Sequence, residues 1–191
     1  MFTGIVKSIG NVKTLEEDRL LISTDDDTFH NLEYGTSISI DGCCLTLKEY
    51  IDNNLLFQIS DETISRTSLN KNHCGFVNME LPLTVNSLLS GHIVQGHVDA
   101  IIELDKVTKL DNELWNFYFK NADEKYIVDK GSITINGISL TIVKPENDKF
   151  SVAVIEETYK RTNLKHLKVN NTVNVEYDIV IKYLEKLNYD K

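Results

Sequence analysis

The sequence predicts an all-β protein of two similar small domains followed by a C-terminal helix. The main observation is a tandem repeat, in which residues 41–47 (DGCCLTL) return 95 positions later as residues 136–142 (NGISLTI). Residues 61–69 (DETISRTSL) return at the same distance as residues 156–164 (EETYKRTNL), with five of the nine positions identical. Short runs of β-branched and aromatic residues, separated by Asn, Asp and Gly, indicate strands in both copies. Such a period is too long for a solenoid repeat and favours two domains.

The composition is that of an ordinary globular protein, and it excludes some partners. The chain has 191 residues, of which 41% are hydrophobic and 26% are charged, and its net charge is −9. Non-specific nucleic-acid binding needs a basic surface, which an acidic chain without basic runs does not supply. No apolar run approaches the ~18–20 residues of a membrane helix, and the N-terminus lacks the features of a signal peptide. We therefore expect neither a nucleic-acid partner nor a membrane partner.

The three cysteines, Cys43, Cys44 and Cys74, indicate a reducing compartment. An odd count with two adjacent members does not suit a disulfide framework. No Cys-x-x-Cys motif or Cys/His cluster has the spacing of a zinc site. We expect a cytoplasmic protein without a metal site.

The clearest strands form two hairpins at repeat-equivalent positions. Ser37–Ile40 alternates polar and apolar residues, and residues 44–48 continue the alternation after Asp41-Gly42. Residues 132–142 repeat this pattern around Asn136-Gly137. An Asp-Gly or Asn-Gly pair between alternating runs is typical of a hairpin or a bulge, because Gly tolerates positive φ.

Further elements follow each hairpin in the same order. Residues 55–59 and 150–154 are predicted strands. Residues 61–69 and 156–164 are less β-like, and we predict a short helical turn in each, which Ser60 or Glu156 would open. Several short strands in about 90 residues suggest a small closed or nearly closed barrel.

The two copies are separated by a short linker. Pro82 ends a strand because it lacks the N–H donor that a sheet needs, and the predicted boundary lies in residues 83–90. The predicted domains are residues 1–86 and 87–178, and residues 179–191 form a C-terminal extension.

The C-terminal extension has the pattern of an amphipathic helix without a counterpart in the first copy. Val180, Leu184 and Leu187 fall on one helical face. An isolated helix of this length is marginal in water. It must therefore dock on another surface, and a contact with another subunit is one candidate.

Two positions at which the copies differ are candidates for chemistry. Cys44 stands where the second copy has Ser139, and Ile5 stands where the second copy has His97. A thiol can act as a nucleophile, and an imidazole titrates near neutral pH. A cysteine is also often a small buried apolar residue, so Cys44 has two interpretations.

His92 and His97 lie five residues apart in the segment that begins the second copy. Residues five apart on a strand point to opposite faces, so we do not expect a metal site shared by the two. One of them is then structural and the other catalytic.

Matching polar residues in the two copies indicate similar pockets. They comprise Thr46 and Thr141, Glu62-Thr63 and Glu157-Thr158, and Arg66 and Arg161. A Glu and an Arg four residues apart on a helical turn either form a salt bridge or position a polar ligand. These observations predict two barrels with matching pockets for a polar small molecule, and they leave the substrate open.

Four segments together resemble the riboflavin synthase alpha chain family. They are residues 1–6 (MFTGIV), 42–46 (GCCLT), 90–99 (SGHIVQGHVD) and 137–141 (GISLT). The resemblance extends over essentially the whole chain, and the first and third segments are highly specific. It implies an all-β fold of two tandem Greek-key six-stranded β-barrels with a C-terminal α-helix.

The resemblance also implies an activity and an assembly. The reaction is the dismutation of two molecules of 6,7-dimethyl-8-ribityllumazine to riboflavin and 5-amino-6-(D-ribitylamino)uracil, the last step of riboflavin synthesis. No metal or organic cofactor is implied. One lumazine binds in each barrel, and the active site lies between the N-terminal barrel of one subunit of a homotrimer and the C-terminal barrel of the next. Whether lumazine synthase is a further partner stays open.

The resemblance implies a set of site residues in each barrel. The implied catalytic residues are Ser37, Cys44, His97 and Asp178. The N-terminal pocket would use Gly4, Ile5, Val6, Cys44, Leu45, Thr46, Gln58, Ile59, Ser60, Asp61, Glu62 and Thr63. The C-terminal pocket would use Gly96, His97, Val98, Lys130, Ser139, Leu140, Thr141, Ile155, Glu156, Glu157, Thr158, Tyr159 and Lys160.

Two other functions share parts of this pattern. A lumazine protein is a non-catalytic fluorescent antenna with the same fold, but its second copy and its Gly-His motif look degraded. Here His97, Ser139, Thr141 and Glu157-Thr158 are all retained, which favours the enzyme. A flavin store of unrelated role is the third interpretation.

Overall fold

Twelve β-strands form two barrels in a computed structural model that describes residues 1–71, 74–110 and 113–189. The first barrel closes in the order β1-β2-β5-β4-β3-β6, and every neighbouring pair is antiparallel. Its strands are β1 (Ser8–Glu16), β2 (Arg19–Ser23), β3 (Ser37–Ile40), β4 (Cys43–Ile51), β5 (Asn54–Gln58) and β6 (Phe76–Glu80).

The second barrel repeats this topology with the next six strands. The order β7-β8-β11-β10-β9-β12 is the order of the first barrel with each number raised by six. This result confirms the predicted pair of six-stranded barrels and the two predicted hairpins. The strands are β7 (Ala100–Lys109), β8 (Leu114–Lys120), β9 (Ser132–Ile135), β10 (Ile138–Glu146), β11 (Lys149–Ile155) and β12 (Thr172–Tyr177).

Each barrel has its own apolar core, because alternate residues of each strand point inward. In β3, Ile38 and Ile40 are fully buried in the first core. Ile133 and Ile135 take the same places in the second core. A fully buried side chain of this size contributes about 1.5–3 kcal/mol to folding. Of the outward-facing residues of the same strands, Ser37 and Ser132 are partly exposed, whereas Ser39 and Thr134 are buried.

The predicted helical turns are confirmed as two short helices, α1 (Asp61–Arg66) and α2 (Glu156–Arg161). The Ser60 hydroxyl accepts the Thr63 N–H at 3.2 Å and caps α1. α2 follows Ile155, whose side chain provides no such cap.

The C-terminal extension forms the predicted helix, α3 (Ile179–Tyr189), and its last two residues, 190 and 191, lie outside the described residues. Ile181 packs against the second core. Val180, Leu184 and Leu187, the predicted apolar face, are between 51% and 64% exposed. None of the described helices is long and apolar enough to cross a lipid bilayer.

The two barrels pack together through their repeat-equivalent turns. A Cβ atom on Gly42 would lie 2.8 Å from the backbone nitrogen of Gly137, so these two glycines allow the turns to touch. Asp41 and Asn136, which precede them, are almost completely buried. The contact therefore depends on polar backbone and side-chain groups rather than on an apolar face.

The segment that leads into each barrel crosses to the other barrel. We call residues 2–6 the first crossing segment and residues 94–98 the second. The two pair with each other, since the Phe2 N–H donates to the Val94 oxygen at 2.7 Å and the Val94 N–H donates to the Phe2 oxygen at 3.2 Å. Val6 then joins the core of the second barrel, and Val98 packs on the core of the first.

Candidate functional site

The first candidate surface lies on the outer face of β3 and β4. Ser37 pairs with Thr46 and Ser39 pairs with Cys44, so these four side chains share one face of the sheet. Cys44 is partly exposed and Thr46 is exposed. Leu45 lies between them and points into the core, so it can offer a ligand only its backbone.

The second crossing segment brings His97 to this surface. The Cys44 N–H donates to the Gly96 oxygen at 2.9 Å. A Cβ atom on Gly96 would lie 2.6 Å from the Cβ of Cys44, and the φ of Gly96 is +82°, so glycine is needed for this approach. His97 follows directly and is exposed. The backbone that carries His97 thus lies beside Cys44 on the first barrel.

A buried carboxylate of β12 holds the second crossing segment. Glu176 accepts the N–H groups of Gln95 at 2.6 Å, Gly96 at 2.8 Å and His97 at 2.9 Å. Burial raises the pKa of Glu176 above its ordinary value, and the three N–H donors oppose that shift. The position of the His97 backbone is therefore set by this side chain.

The first crossing segment forms the corresponding arrangement on the second barrel. The Ser139 N–H donates to the Gly4 oxygen at 2.8 Å, and a Cβ on Gly4 would lie 2.6 Å from that of Ser139. Glu80 of β6 accepts the N–H and the hydroxyl of Thr3 and the N–H of Gly4, at 2.8, 2.6 and 3.0 Å. Burial raises the pKa of Glu80 as well.

The crossing segments pack on the opposite barrels from the ones to which the resemblance assigned them. Gly4, Ile5 and Val6 were expected beside Cys44, but the structure places Gly4 against Ser139 of the second barrel. Gly96–Val98 were expected beside Ser139, but Gly96 lies against Cys44. The physical reason is the Phe2–Val94 pairing, which carries each segment across to the opposite barrel.

Glu80 and Glu176 hold the crossing segments in place and were not among the predicted site residues. A signal was present, because residues 77–80 (VNME) return as residues 173–176 (VNVE). Their carboxylates are buried and accept backbone N–H groups, and neither property can be read from one strand alone.

The second surface is the outer face of β9 and β10, where Ser139 pairs with Thr134. His92 lies at this surface, and the prediction that His92 and His97 occupy one strand is wrong. Of residues 91–99, only Val94 forms a bridge, with Phe2. His92 Nδ1 lies 2.7 Å from the Ser139 hydroxyl, and Nε2 lies 3.2 Å from the Thr134 hydroxyl. Burial lowers the pKa of His92, and the nearby Asp178 opposes that shift.

Asp178 lies beside this second surface, at the start of α3. Its carboxylate accepts the Val180 N–H at 2.9 Å. It lines a cavity of about 160 Å³ that also includes Ser132, the equivalent of Ser37. The four predicted catalytic residues are thus distributed, with Ser37, Cys44 and His97 on the first barrel and Asp178 on the second.

The end of β5 and the helix α1 that follows it carry the other residues predicted for the first pocket. Gln58 donates to Asp18 Oδ2 at 2.7 Å and accepts from Lys48 Nζ at 3.3 Å. The exposed Glu62 forms an ion pair with Arg66 on α1. The remaining predicted residues here are Ile59, which is buried in the core, the cap residue Ser60, the exposed Asp61, and Thr63.

The equivalent part of the second barrel has an aromatic pair in addition to ion pairs. Tyr159 stacks on Trp115 with ring centroids 3.9 Å apart and planes at 7°. Exposed ion pairs join Glu156 to Lys160 and Glu157 to Arg161. Leu140 points into the core, Thr141 and Ile155 are exposed, Thr158 is partly exposed, and Lys130 lies in the turn before β9 with a φ of +65°.

A larger cavity adjoins the first crossing segment. It has a volume of about 670 Å³ and is lined by Thr3, Ile5, Lys7, Glu80 and residues of the linker. It lies beside Ile5, which is 37% exposed. Among the described residues, no group of three or more His, Cys, Asp or Glu side chains could hold a metal ion.

Comparisons with known proteins agree with this geometry. Residues 3–82 and 95–178 each match the lumazine binding domain family. The riboflavin synthase of Actinobacillus pleuropneumoniae is 36% identical over 97% of this chain and 89% of its own length. The riboflavin synthase of Mycobacterium tuberculosis is 36% identical over 98% of both chains.

Solved structures with the same fold carry lumazine or flavin ligands. LumP in complex with riboflavin superposes with a TM-score of 0.84, at 27% identity over 93% of this chain and 99% of LumP. LumP in complex with 6,7-dimethyl-8-(1'-D-ribityl) lumazine has a TM-score of 0.79, also at 27% identity, over 92% of this chain and 98% of LumP.

Proposed function

The chain belongs to the riboflavin synthase family, and on that basis we propose how its two surfaces share one reaction. It is an enzyme of the transferase class in riboflavin biosynthesis. It converts two molecules of 6,7-dimethyl-8-ribityllumazine to riboflavin and 5-amino-6-(D-ribitylamino)uracil. The proposal concerns the residues that act, their roles and the assembly in which they act.

The observation that carries the proposal is a pair of similar surfaces with different reactive groups. The first surface has Cys44 beside the second crossing segment, which carries His97. The second surface has Ser139, whose hydroxyl is hydrogen-bonded to His92. A dismutation needs two copies of one substrate in different roles. Similar surfaces would bind identical molecules, and the different side chains would give each molecule its role.

We assign proton transfer and addition to the first surface. The lumazine 7-methyl group is acidified by its own conjugated ring, so His97 would accept its proton from the donor molecule. The Cys44 thiol, or a water held by Ser37, would add to C7 of the acceptor molecule. Holding the two rings in a reactive geometry contributes roughly 7–11 kcal/mol in well-aligned cases.

The remaining polar residues would bind the substrates. Thr46 and Thr141 are exposed on the outer faces of β4 and β10. Their hydroxyls would form hydrogen bonds with the edges of the pteridine rings. The ribityl hydroxyls would form hydrogen bonds with the Glu62-Thr63 and Glu157-Thr158 segments. Both glutamates pair with arginines in the free protein, so binding would exchange these ion pairs for ligand contacts.

We propose a homotrimer as the functional assembly, in which the first barrel of one subunit faces the second barrel of the next. The exposed apolar residues of α3 support it, because an exposed group of apolar side chains often marks a surface that contacts another protein. Three free cysteines support a reducing cytoplasm. Association with lumazine synthase is a further proposal, which co-sedimentation of the two purified proteins would test.

One experiment tests the proposed reaction against the antenna function of a lumazine protein. The purified protein is mixed with 6,7-dimethyl-8-ribityllumazine alone, and absorbance and fluorescence are recorded over time. We expect the riboflavin spectrum to appear at the expense of the lumazine spectrum. A stable spectrum of bound lumazine would instead identify an antenna, and tight riboflavin binding without turnover would identify a flavin store.

A further inference from the structure

Helix α3 contacts the segment that carries His97 through one bidentate ion pair. Lys182 Nζ donates to Oδ1 of Asp99 at 3.0 Å and to Oδ2 at 2.8 Å. Both side chains are largely shielded, with 19% of Lys182 and 28% of Asp99 exposed. Asp99 follows His97 by two residues, directly after the second crossing segment.

Asp99 is also fixed to the strand that precedes α3. Its N–H donates to the Val175 oxygen at 2.8 Å, and its Oδ2 accepts the Tyr177 N–H at 2.9 Å. Upstream, Glu176 accepts the N–H groups of residues 95–97. The backbone around His97 is therefore held at both ends by one continuous piece of chain, β12 and α3.

This ion pair occurs only in the copy that carries the histidine. At the offset that aligns His97 with Ile5, the residue aligned with Asp99 is Lys7. Helix α3 has no counterpart in the first copy, and a lysine in place of Asp99 would repel Lys182 instead of pairing with it. Lys182 also opposes the rise in the pKa of the buried Glu176. Its charge therefore acts on both carboxylates that hold the second crossing segment, Asp99 and Glu176.

We infer that Lys182 is a positioning residue for His97, so that α3 sets the geometry of the reactive histidine in addition to offering a surface for assembly. The inference rests on the proposed role of His97 in the reaction. Lys182 does not need to touch the substrate. It neutralises and orients Asp99. Asp99 fixes the C-terminal end of the second crossing segment, and Glu176 fixes residues 95–97 within it.

A double-mutant cycle separates this role from simple docking of the helix. The variants are Lys182→Gln, Asp99→Asn and the two combined, with Lys182→Arg as the conservative replacement. Lys186→Gln, at the next turn of the same helix, is the matched control. The rate of riboflavin formation and the KM for 6,7-dimethyl-8-ribityllumazine are measured for each, together with the thermal unfolding midpoint.

We expect Lys182→Gln to lower kcat by about 10-fold to 100-fold, since small misplacements of a reacting group have effects of that size. Lys182→Arg should restore most of the rate, because a guanidinium binds a carboxylate in the same bidentate manner. In the Asp99→Asn background, Lys182→Gln should lower kcat no further. Equal losses in both backgrounds, or no loss beyond that of Lys186→Gln, would overturn the inference.

A second measurement keeps the inference testable if the proposed reaction itself fails. The imidazole proton resonances of His97 are assigned by comparison with His97→Gln in the full-length protein. They should shift in Lys182→Gln and Asp99→Asn and stay in place in Lys186→Gln. An unchanged His97 resonance in Lys182→Gln would reject the positioning role whether or not the wild-type protein forms riboflavin.

Discussion

Cys43 and Cys44 are neighbours on one strand with opposite surroundings. Cys43 points into the first core, and burial raises its pKa to about 12, so it is a poor source of thiolate. Cys44 points outward and is partly exposed beside the His97 segment. The sequence left Cys44 as either a nucleophile or a small buried apolar residue. In the structure it is Cys43 that is the small buried residue.

The first prediction concerns the two reactive side chains. Cys44→Ser and His97→Gln should each lower turnover roughly tenfold or more, because each removes a group with a proposed chemical role. Both residues face outward, so the unfolding transition followed by circular dichroism should change little. Cys74→Ser is the thiol control and should retain turnover. Wild-type rates from both variants would exclude the assigned roles.

Gly96 illustrates how one residue without a side chain shapes the site. Its backbone lies so close to Cys44 that a Cβ atom would fall 2.6 Å from the Cys44 Cβ. Gly75 has the same φ of +82° but no atom within 4 Å of its Cβ position. The two glycines therefore separate the effect of steric collision from the effect of backbone strain.

We predict that Gly96→Ala loses far more stability and turnover than Gly75→Ala. Alanine with positive φ costs about 1–2 kcal/mol at either position. At Gly96 the collision adds to that cost and moves His97 away from Cys44. Urea unfolding and riboflavin formation measure the two effects. Equal losses in the two variants would show that the close approach at Gly96 is unimportant.

At the scale of elements, α3 shows how a local pattern predicts a helix without its partner. The periodicity of its apolar residues predicted the helix, and the structure confirms it. The same residues remain exposed, apart from Ile181, which packs against the second barrel. A helix with this much exposed apolar surface is suited to contact with another subunit.

The third prediction tests that contact. Leu184→Glu combined with Leu187→Glu should dissociate the proposed trimer, because it places two charges in an apolar interface. Sedimentation velocity should then report a monomer, whereas the control Lys186→Glu should remain trimeric. The fold of the variant should persist, since both leucines are exposed in the single chain. An unchanged sedimentation coefficient would locate the subunit contact elsewhere.

At the scale of the whole molecule, a buried polar layer joins the barrels. It is built from repeat-equivalent contacts. Asn78 N–H donates to Asp41 Oδ1 and Asn174 N–H donates to Asn136 Oδ1, both at 2.7 Å. The symmetry is broken where Asn163 stands in place of Ser68, because the Asn163 amide also donates to Asp41, at 3.0 Å. Hydrogen bonds with fixed directions specify one arrangement of the two barrels.

The fourth prediction follows from the buried Asp41, which is an asparagine in the second copy. Burial raises the pKa of Asp41 well above its ordinary value. The folded protein therefore binds a proton that the unfolded chain releases near pH 3.9, and stability falls as pH rises from there through the folded pKa. In Asp41→Asn this loss is absent, while the side-chain oxygen can still accept both hydrogen bonds.

We expect Asp41→Asn to be more stable than the wild type at pH 8 and to lose this advantage at about pH 4, at the start of that window. Unfolding free energies from urea titrations at several pH values measure the difference. Asp25→Asn, at an exposed aspartate, serves as the control for the loss of one carboxylate. A pH-independent difference for Asp41→Asn would contradict the expected change in proton binding.

Features that depend on local chemistry could be predicted from the sequence. Alternation along Ser37–Ile40, the turns at Gly42 and Gly137 and the apolar period of α3 follow from backbone geometry, and the repeat shows that these elements occur twice. Four segments were sufficient to indicate the family. Cys44, His97 and Ser139 were recognised because the copies differ there.

Which of these residues lie together could not be predicted in this way, because it depends on how the two barrels pack. The Phe2–Val94 pairing exchanges the crossing segments, so Gly96 reaches Cys44 and Gly4 reaches Ser139. Glu176 and the Asp99–Lys182 pair then hold the His97 segment to the last strand and helix of the chain. The contacts of Glu176 and Lys182 join residues about 80 positions apart. They depend on the closure of the barrels and on burial, which no local sequence pattern records.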